Sequence, residues 1–119
     1  VELAVSGGHD AHCTATVVNG VSYTAILDLK SAERTQAFVE TISGATDNYA
    51  TMNLSTGAKL SGNITPAMTN LGGGWWRMSI AFVAGSTTAK IFIFPANGGS
   101  FSYLGDGSSG IYVDNVGIY

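Results

Sequence analysis

A chain of 119 residues fits one domain and is long enough to bury a core without metal or disulfide support. Only 11% of it is charged, its net charge is −3, and Lys30, Arg34, Lys59, Arg77 and Lys90 are scattered, which excludes a counterion-releasing nucleic-acid surface and argues against the Glu- and Lys-covered exterior of a helical bundle. Hydrophobic residues make up 45%, yet no uninterrupted apolar window approaches the roughly 18 residues of a membrane span, and the lone Cys13 permits no intrachain disulfide.

With so few charges, the surface must be built from Ser, Thr, Asn and Gly, as expected of short strands joined by glycine turns. Leu3 to Val5 is a possible first strand, ended by Gly7 and Gly8. His12 to Val18 is rich in β-formers and places Cys13 as a buried strand thiol. It stops at Asn19-Gly20, a turn signal that predicts a hairpin with Val21 to Lys30. In that second strand Tyr23, Ala25, Leu27 and Leu29 share one side, and Thr24, Ile26, Asp28 and Lys30 the other.

Ser31 to Ile42 mixes helix and strand formers and is read as strand because its surroundings are all β. Tyr49 to Leu54 alternates, and Ser55-Thr56-Gly57 turns it back into Ala58 to Leu60. Pro66 to Leu71 reads as a loop. Gly72-Gly73-Gly74 precedes a strand rather than a helix, which suits a tight turn and not a phosphate cradle. From Trp75 to Val83 the alternation is strong: Trp76, Met78, Ile80 and Phe82 form a core side, and Trp75, Arg77, Ser79 and Ala81 the opposite side. Gly85-Ser86 turns into Ala89 to Phe94, where Phe92 and Phe94 are read as core in competition with Ile91 and Ile93. Loops at Pro95 to Ser100 and Gly105 to Gly110 precede a closing strand, Ile111 to Tyr119.

Candidate chemistry is sparse. Glycosidases need carboxyl groups facing each other about 5 to 9.5 Å apart, and no strand carries them as a close pair, although Asp28 could approach Asp114 in the folded sheet. There is no Gly-x-Ser-x-Gly elbow. His9, Asp10, His12 and Cys13 include metal-ligand types, but on a strand His9 and His12 face opposite ways, so a polar entry segment is the simpler reading. Asp106, with Asp114 or Asn115, could offer oxygen to calcium, against a turn role for Asp106. Asn53-Leu54-Ser55 and Asn63-Ile64-Thr65 match the glycosylation pattern. The aromatics remain, with Trp75, Tyr103, Tyr112 and Tyr49 on polar-faced or loop-adjacent positions. An indole beside a guanidinium suits a sugar ring, whose C–H face stacks on Trp75 while Arg77 bonds its hydroxyls; the alternative is a Trp covering a sheet edge with an Arg stem packed on it.

Two motifs carry a resemblance. Gly74-Trp75-Trp76-Arg77-Met78-Ser79 and Tyr103-Leu104-Gly105-Asp106-Gly107-Ser108-Ser109-Gly110-Ile111-Tyr112-Val113 resemble the paired motifs of a module found in bacteriophage tail-fibre, appendage and other virion proteins. Val21 to Ala25, Lys30, and the turn Asn53-Leu54-Ser55-Thr56-Gly57 also look like that module, so the likeness runs over residues 12–116. It implies a jelly-roll β-sandwich of two antiparallel sheets, similar to concanavalin-like and carbohydrate-binding modules, usually non-catalytic and part of a larger polypeptide. Asp114-Asn115-Val116 departs from the module's usual ending and looks more like the Asp-Asn-Val strand of glycan-binding sandwiches. Most of the module's extra N-terminal segment is missing, so one sheet would be short a strand, and its open edge would invite oligomerisation.

The expectation is therefore one all-β sandwich over residues 1–119 that binds a polysaccharide or cell-surface glycan without catalysis, in a virion or extracellular setting. Trp75, Tyr112 and Tyr103 would meet the sugar as aromatics, and Arg77, Asp28 and Asp114 would bond hydroxyls. No cofactor is expected beyond the possible calcium. The rival expectation is a virion decoration subunit whose exposed face meets other proteins or copies of itself.

Overall fold

The computed structural model describes residues 6–8, 11–96, 102–104 and 110–119, with side chains described for 13–96 and 110–119. Every regular element among them is a β-strand: β1 (Ser6–Gly8), β2 (Ala11–Thr16), β3 (Ser22–Ser31), β4 (Gln36–Ser43), β5 (Thr46–Asn53), β6 (Lys59–Gly62), β7 (Ala67–Gly72), β8 (Trp75–Val83), β9 (Thr88–Ala96), β10 (Ser102–Leu104) and β11 (Ile111–Ile118). A four-stranded sheet runs β11-β3-β8-β7 and a five-stranded sheet β2-β9-β4-β5-β6, all pairs antiparallel, with β1 and β10 forming a separate ribbon. No helix among the described residues is long and apolar enough to cross a membrane.

Period-two patterning explains the layers. Ala25, Leu27 and Leu29 on β3, with Met78, Ile80 and Phe82 on β8, are buried against Ala37 and Val39 of β4, Ala50 and Met52 of β5, and Ala89, Ile91 and Ile93 of β9. Each large aliphatic side chain removed from water contributes about 1.5–3 kcal/mol. Ile91 and Ile93 take the inward side, and Phe92 and Phe94 point outward, contrary to expectation. Cys13 sits opposite Ile91 on the inward side of edge strand β2, where it is only partly buried.

The Asn19-Gly20 turn exists, but it does not make a hairpin. Gly20 takes φ +83° and Val21 N–H donates to Val18 C=O at 3.1 Å. The flanking backbone then bonds elsewhere: Val17 N–H to Thr87 C=O at 3.0 Å, Gly20 N–H to Ala84 C=O at 2.8 Å and Ala84 N–H to Val21 C=O at 2.9 Å. So β2 joins β9 in one sheet while β3 joins β8 in the other. The segment β2–β3 runs alongside β8–β9, and both step between sheets at one place, which is the winding of a jelly roll.

The segment expected as a loop at Pro66 to Leu71 is instead largely edge strand β7, paired to β8. Its side chains are mostly exposed, so it lacks the buried alternation that marks a strand in sequence. The glycine run does make the turn into β8, with φ +85°, +63° and +85° at Gly72, Gly73 and Gly74. Trp76 points inward and its indole N–H donates to Leu54 C=O at 2.9 Å. Its ring lies over Gly57, where an added Cβ would come within 2.6 Å of it.

Among the described residues one core group is unsatisfied. Thr41 is 1% exposed and its Oγ1 has no hydrogen-bond partner. Removing a buried hydroxyl that bonds to nothing should relieve its desolvation cost. Thr41→Val is expected to stabilise the fold by about 1 kcal/mol, read as a higher urea midpoint with an unchanged slope. A lower midpoint would mean that the hydroxyl has a partner in solution.

Candidate functional site

The register of the four-stranded sheet assembles the site. Lys30 of β3 lies opposite Tyr112 of β11 on one side and Trp75 of β8 on the other. One step along the same face, Asp28 lies opposite Asp114 and Arg77, and Arg77 opposite Thr69 of β7. Directly opposed residues share a face, so Trp75, Arg77, Tyr112, Asp114 and Asp28 all occupy the outer side of one sheet. Strands two apart lie about 9.6 Å from each other, but the rings of Trp75 and Tyr112 are 6.5 Å apart at 43°. They lean together across β3. Tyr112 is 55% exposed and Trp75 half-buried.

Below the rings sits a charged cluster. Arg77 Nε donates to Asp28 Oδ1 at 2.9 Å and Nη2 donates to Oδ2 at 3.0 Å, a forked pair with directional strength. Asn115 Nδ2 also donates to Asp28 Oδ2, at 2.9 Å. Asn115 reaches it from a left-handed backbone, φ 51°, inside the irregularity between Asp114 and Gly117. Its own N–H donates to Asp114 Oδ1. The hydrogen bond from Arg77 holds the Asp28 carboxyl below its ordinary pKa despite burial, with help from Asn115 and from the Arg77 charge. Asp28 is 3% exposed, so it does not present hydroxyl-bonding oxygens to a ligand as expected. It aims Arg77, whose side chain is 45% exposed. Beyond Arg77, Tyr119 folds back over Gly117, where a Cβ would lie 2.7 Å from its phenol oxygen.

The other sheet carries a second polar and aromatic face that the sequence reading missed. On its outer side Glu40 lies opposite Tyr49 and Phe92, and Ile42 opposite Asp47 and Lys90. Ring centroids are 5.9 Å apart for Phe38–Tyr49, 5.6 Å for Phe38–Phe94 and 6.3 Å for Phe92–Phe94. Ile42, Gly44, Ser86, Thr88, Lys90 and Phe92 line a shallow open trough there. Burial, then a hydrogen bond with Asp47 and the Asp47 charge, push the Glu40 carboxyl up to about 7. This proximity was invisible in sequence because it arises diagonally across the β4–β5 hairpin.

The remaining sequence candidates divide simply. Tyr103 lies in β10, whose side chains are outside the described residues, as are those of His9, Asp10, His12 and Asp106. Among the described residues no group of three or more His, Cys, Asp or Glu gathers into a metal-binding cluster. Asn53 Oδ1 accepts from Ser55 N–H in a turn, and the Asn63 side chain bridges Tyr49 N–H and Asp47 C=O. No protein-family model matches the chain, and no curated protein matches it.

The raised Glu40 pKa has a sign. Between its ordinary value of 4.5 and about 7, the folded protein holds a proton that the unfolded chain releases. Stability from this group is therefore full below about 4.5 and declines as pH rises toward 7. Glu40→Gln should flatten that slope and melt higher than the parent at pH 8, with little difference at pH 4.5. Parallel melting curves for the two proteins across this range would contradict it.

Proposed function

We propose that this chain is a non-catalytic carbohydrate-binding sandwich. Its ligand is a polysaccharide or cell-surface glycan held on the outer face of the four-stranded sheet, in a phage appendage or a larger secreted protein. The observation that carries this reading is the pair of rings, Trp75 and Tyr112, leaning together beside an exposed guanidinium that a buried carboxylate holds in place. Aromatic rings bind the C–H faces of sugars, and the Arg77 N–H groups not used by Asp28 suit ring hydroxyls. Asp28 is held as an anion with both oxygens engaged, an arrangement for fixing a donor rather than for shuttling protons. Tyr112 and the exposed Asp114 complete the ligand-facing set. Repetition of such a module on one particle would add avidity to a modest single site.

The assembly reading also has an observation behind it. Strand β7 is an exposed edge of the four-stranded sheet, with β8 on one flank and no strand on its other flank among the described residues. A solution mass separates the two: a monomer that binds glycan favours the first, and an obligate oligomer without glycan affinity favours the second.

Trp75→Ala is expected to keep the fold and weaken binding to the best glycan from an array by about tenfold or more. Tyr49→Ala, on the opposite sheet, should leave that affinity unchanged. Full affinity in Trp75→Ala at an unchanged melting temperature would remove the assignment.

A further inference from the structure

We propose that the platform selects an anionic saccharide, one bearing a carboxylate or a sulfate, and that Lys30 supplies the charge that selects it. This rests on the glycan reading above and adds the ligand's chemical class. Lys30 occupies the central position of the aromatic row, with Tyr112 and Trp75 as its cross-strand neighbours. Its stem crosses the turn at Gly74, where a Cβ would stand 3.4 Å from Lys30 Cε. Gly74 takes φ +85°, and a Cβ there would meet the lysine only in ordinary van der Waals contact, so the stem lies beside this turn without crowding it. The ammonium ends 5.9 Å from the Tyr112 ring centroid.

Among the described residues the acids near it do not pair with it. Asp28 is the nearest acid on β3 of the same face, and both its oxygens are taken, one by Arg77 and the other by Arg77 and Asn115. Asp114, one row away on β11, accepts from the N–H of Asn115, a neutral donor that pairs off no charge. Arg77 is neutralised in its forked pair, so its remaining donors read hydroxyls with little net charge. Lys30 has no acidic partner among the described residues; its contact is the face of Tyr112. A cation resting on an exposed ring gains little from it, and keeps most of its charge for an anion. Two rings, with an ammonium beside one of them that has no acidic partner among the described residues, match a sugar ring whose C–H face stacks and whose edge carries a negative group. A neutral sugar would use the rings and Arg77 but leave Lys30 without a role.

The test compares matched probes on the whole chain. Oligogalacturonate is titrated beside its carboxyl-reduced neutral counterpart, and a sulfated galactan oligosaccharide beside its desulfated form, by calorimetry at low and physiological salt. The anionic member of at least one pair should bind about three- to tenfold more tightly, as an exposed ion pair allows. The preference should shrink with added salt. Lys30→Gln should erase it without weakening the neutral member, and Lys30→Arg should restore it. Which pair shows the preference identifies the anion. Equal affinity within both pairs, or a preference that survives in Lys30→Gln, overturns the inference and leaves the glycan reading standing. If no probe binds and an array finds no glycan, the glycan reading fails and this inference fails with it. If Lys30→Gln does not fold, the salt dependence and Lys30→Arg still decide.

Discussion

One ladder governs this molecule: the antiparallel pairing of β3 with β8. Its register sets Leu27 against Met78 and Ala25 against Ile80 on the inner side, where all of them are buried. The same register sets Asp28 against Arg77 and Lys30 against Trp75 on the outer side. Because side chains alternate, a slip of one residue would turn every one of them over. The core therefore enforces the site. Burial of four apolar side chains holds the ladder in place far more firmly than any surface ion pair could. The ion pair inherits its geometry from packing on the far side of the sheet, and β11 adds Tyr112 and Asp114 by extending the same rows, with Asn115 reaching Asp28 from the irregularity that follows.

That division also explains what was legible in the sequence. The β8 alternation is a local, period-two signal, so Trp75 and Arg77 could be placed on one face, opposite Met78 and Ile80, from the sequence alone. The rows across strands are long-range. Nothing local says that Asn115 reaches Asp28, because it takes a left-handed residue in an irregular strand to bring it there. The Asn19-Gly20 turn misled for the complementary reason: its chemistry is that of a hairpin, but the next hydrogen bonds on either side go to the β8–β9 connection. In β9 the run Ile91-Phe92-Ile93-Phe94 is apolar on both sides, so periodicity could not choose, and the smaller β-branched residues took the core while the rings covered the other face. Strand β7 was silent because an exposed edge buries too little to leave a pattern.

The two sheets treat their desolvated acids in opposite ways. On one, Asp28 is desolvated but receives N–H donors from Arg77 and Asn115, and the donors win, so the anion is the stable form. On the other, Glu40 is partly desolvated beside a second carboxyl, and both influences favour its neutral form. Protonating Asp28 would cost stability as pH falls through its lowered pKa, because its native partners bond the charged form; ionising Glu40 costs stability as pH rises. The fold thus loses stability toward both ends of the acid range, through groups on the outer faces of opposite sheets.

The strain at Asn115 fits this picture. A left-handed residue other than glycine costs about 1 kcal/mol, and asparagine is among those that bear it best. Glycine would relieve the strain but would leave Asp28 Oδ2 without its second donor. A carboxylate that is 3% exposed has little water to replace what it loses. Asparagine serves both needs, since its amide bonds the acid and its backbone tolerates the turn that carries it there. The consequence falls on Arg77: its acid is anchored from the neighbouring strand as well as from its own pairing, so the direction of the guanidinium is fixed by the protein itself. A donor fixed in advance loses less freedom on binding than one free to rotate, so under the proposed reading the rigidity of the charged row would favour binding.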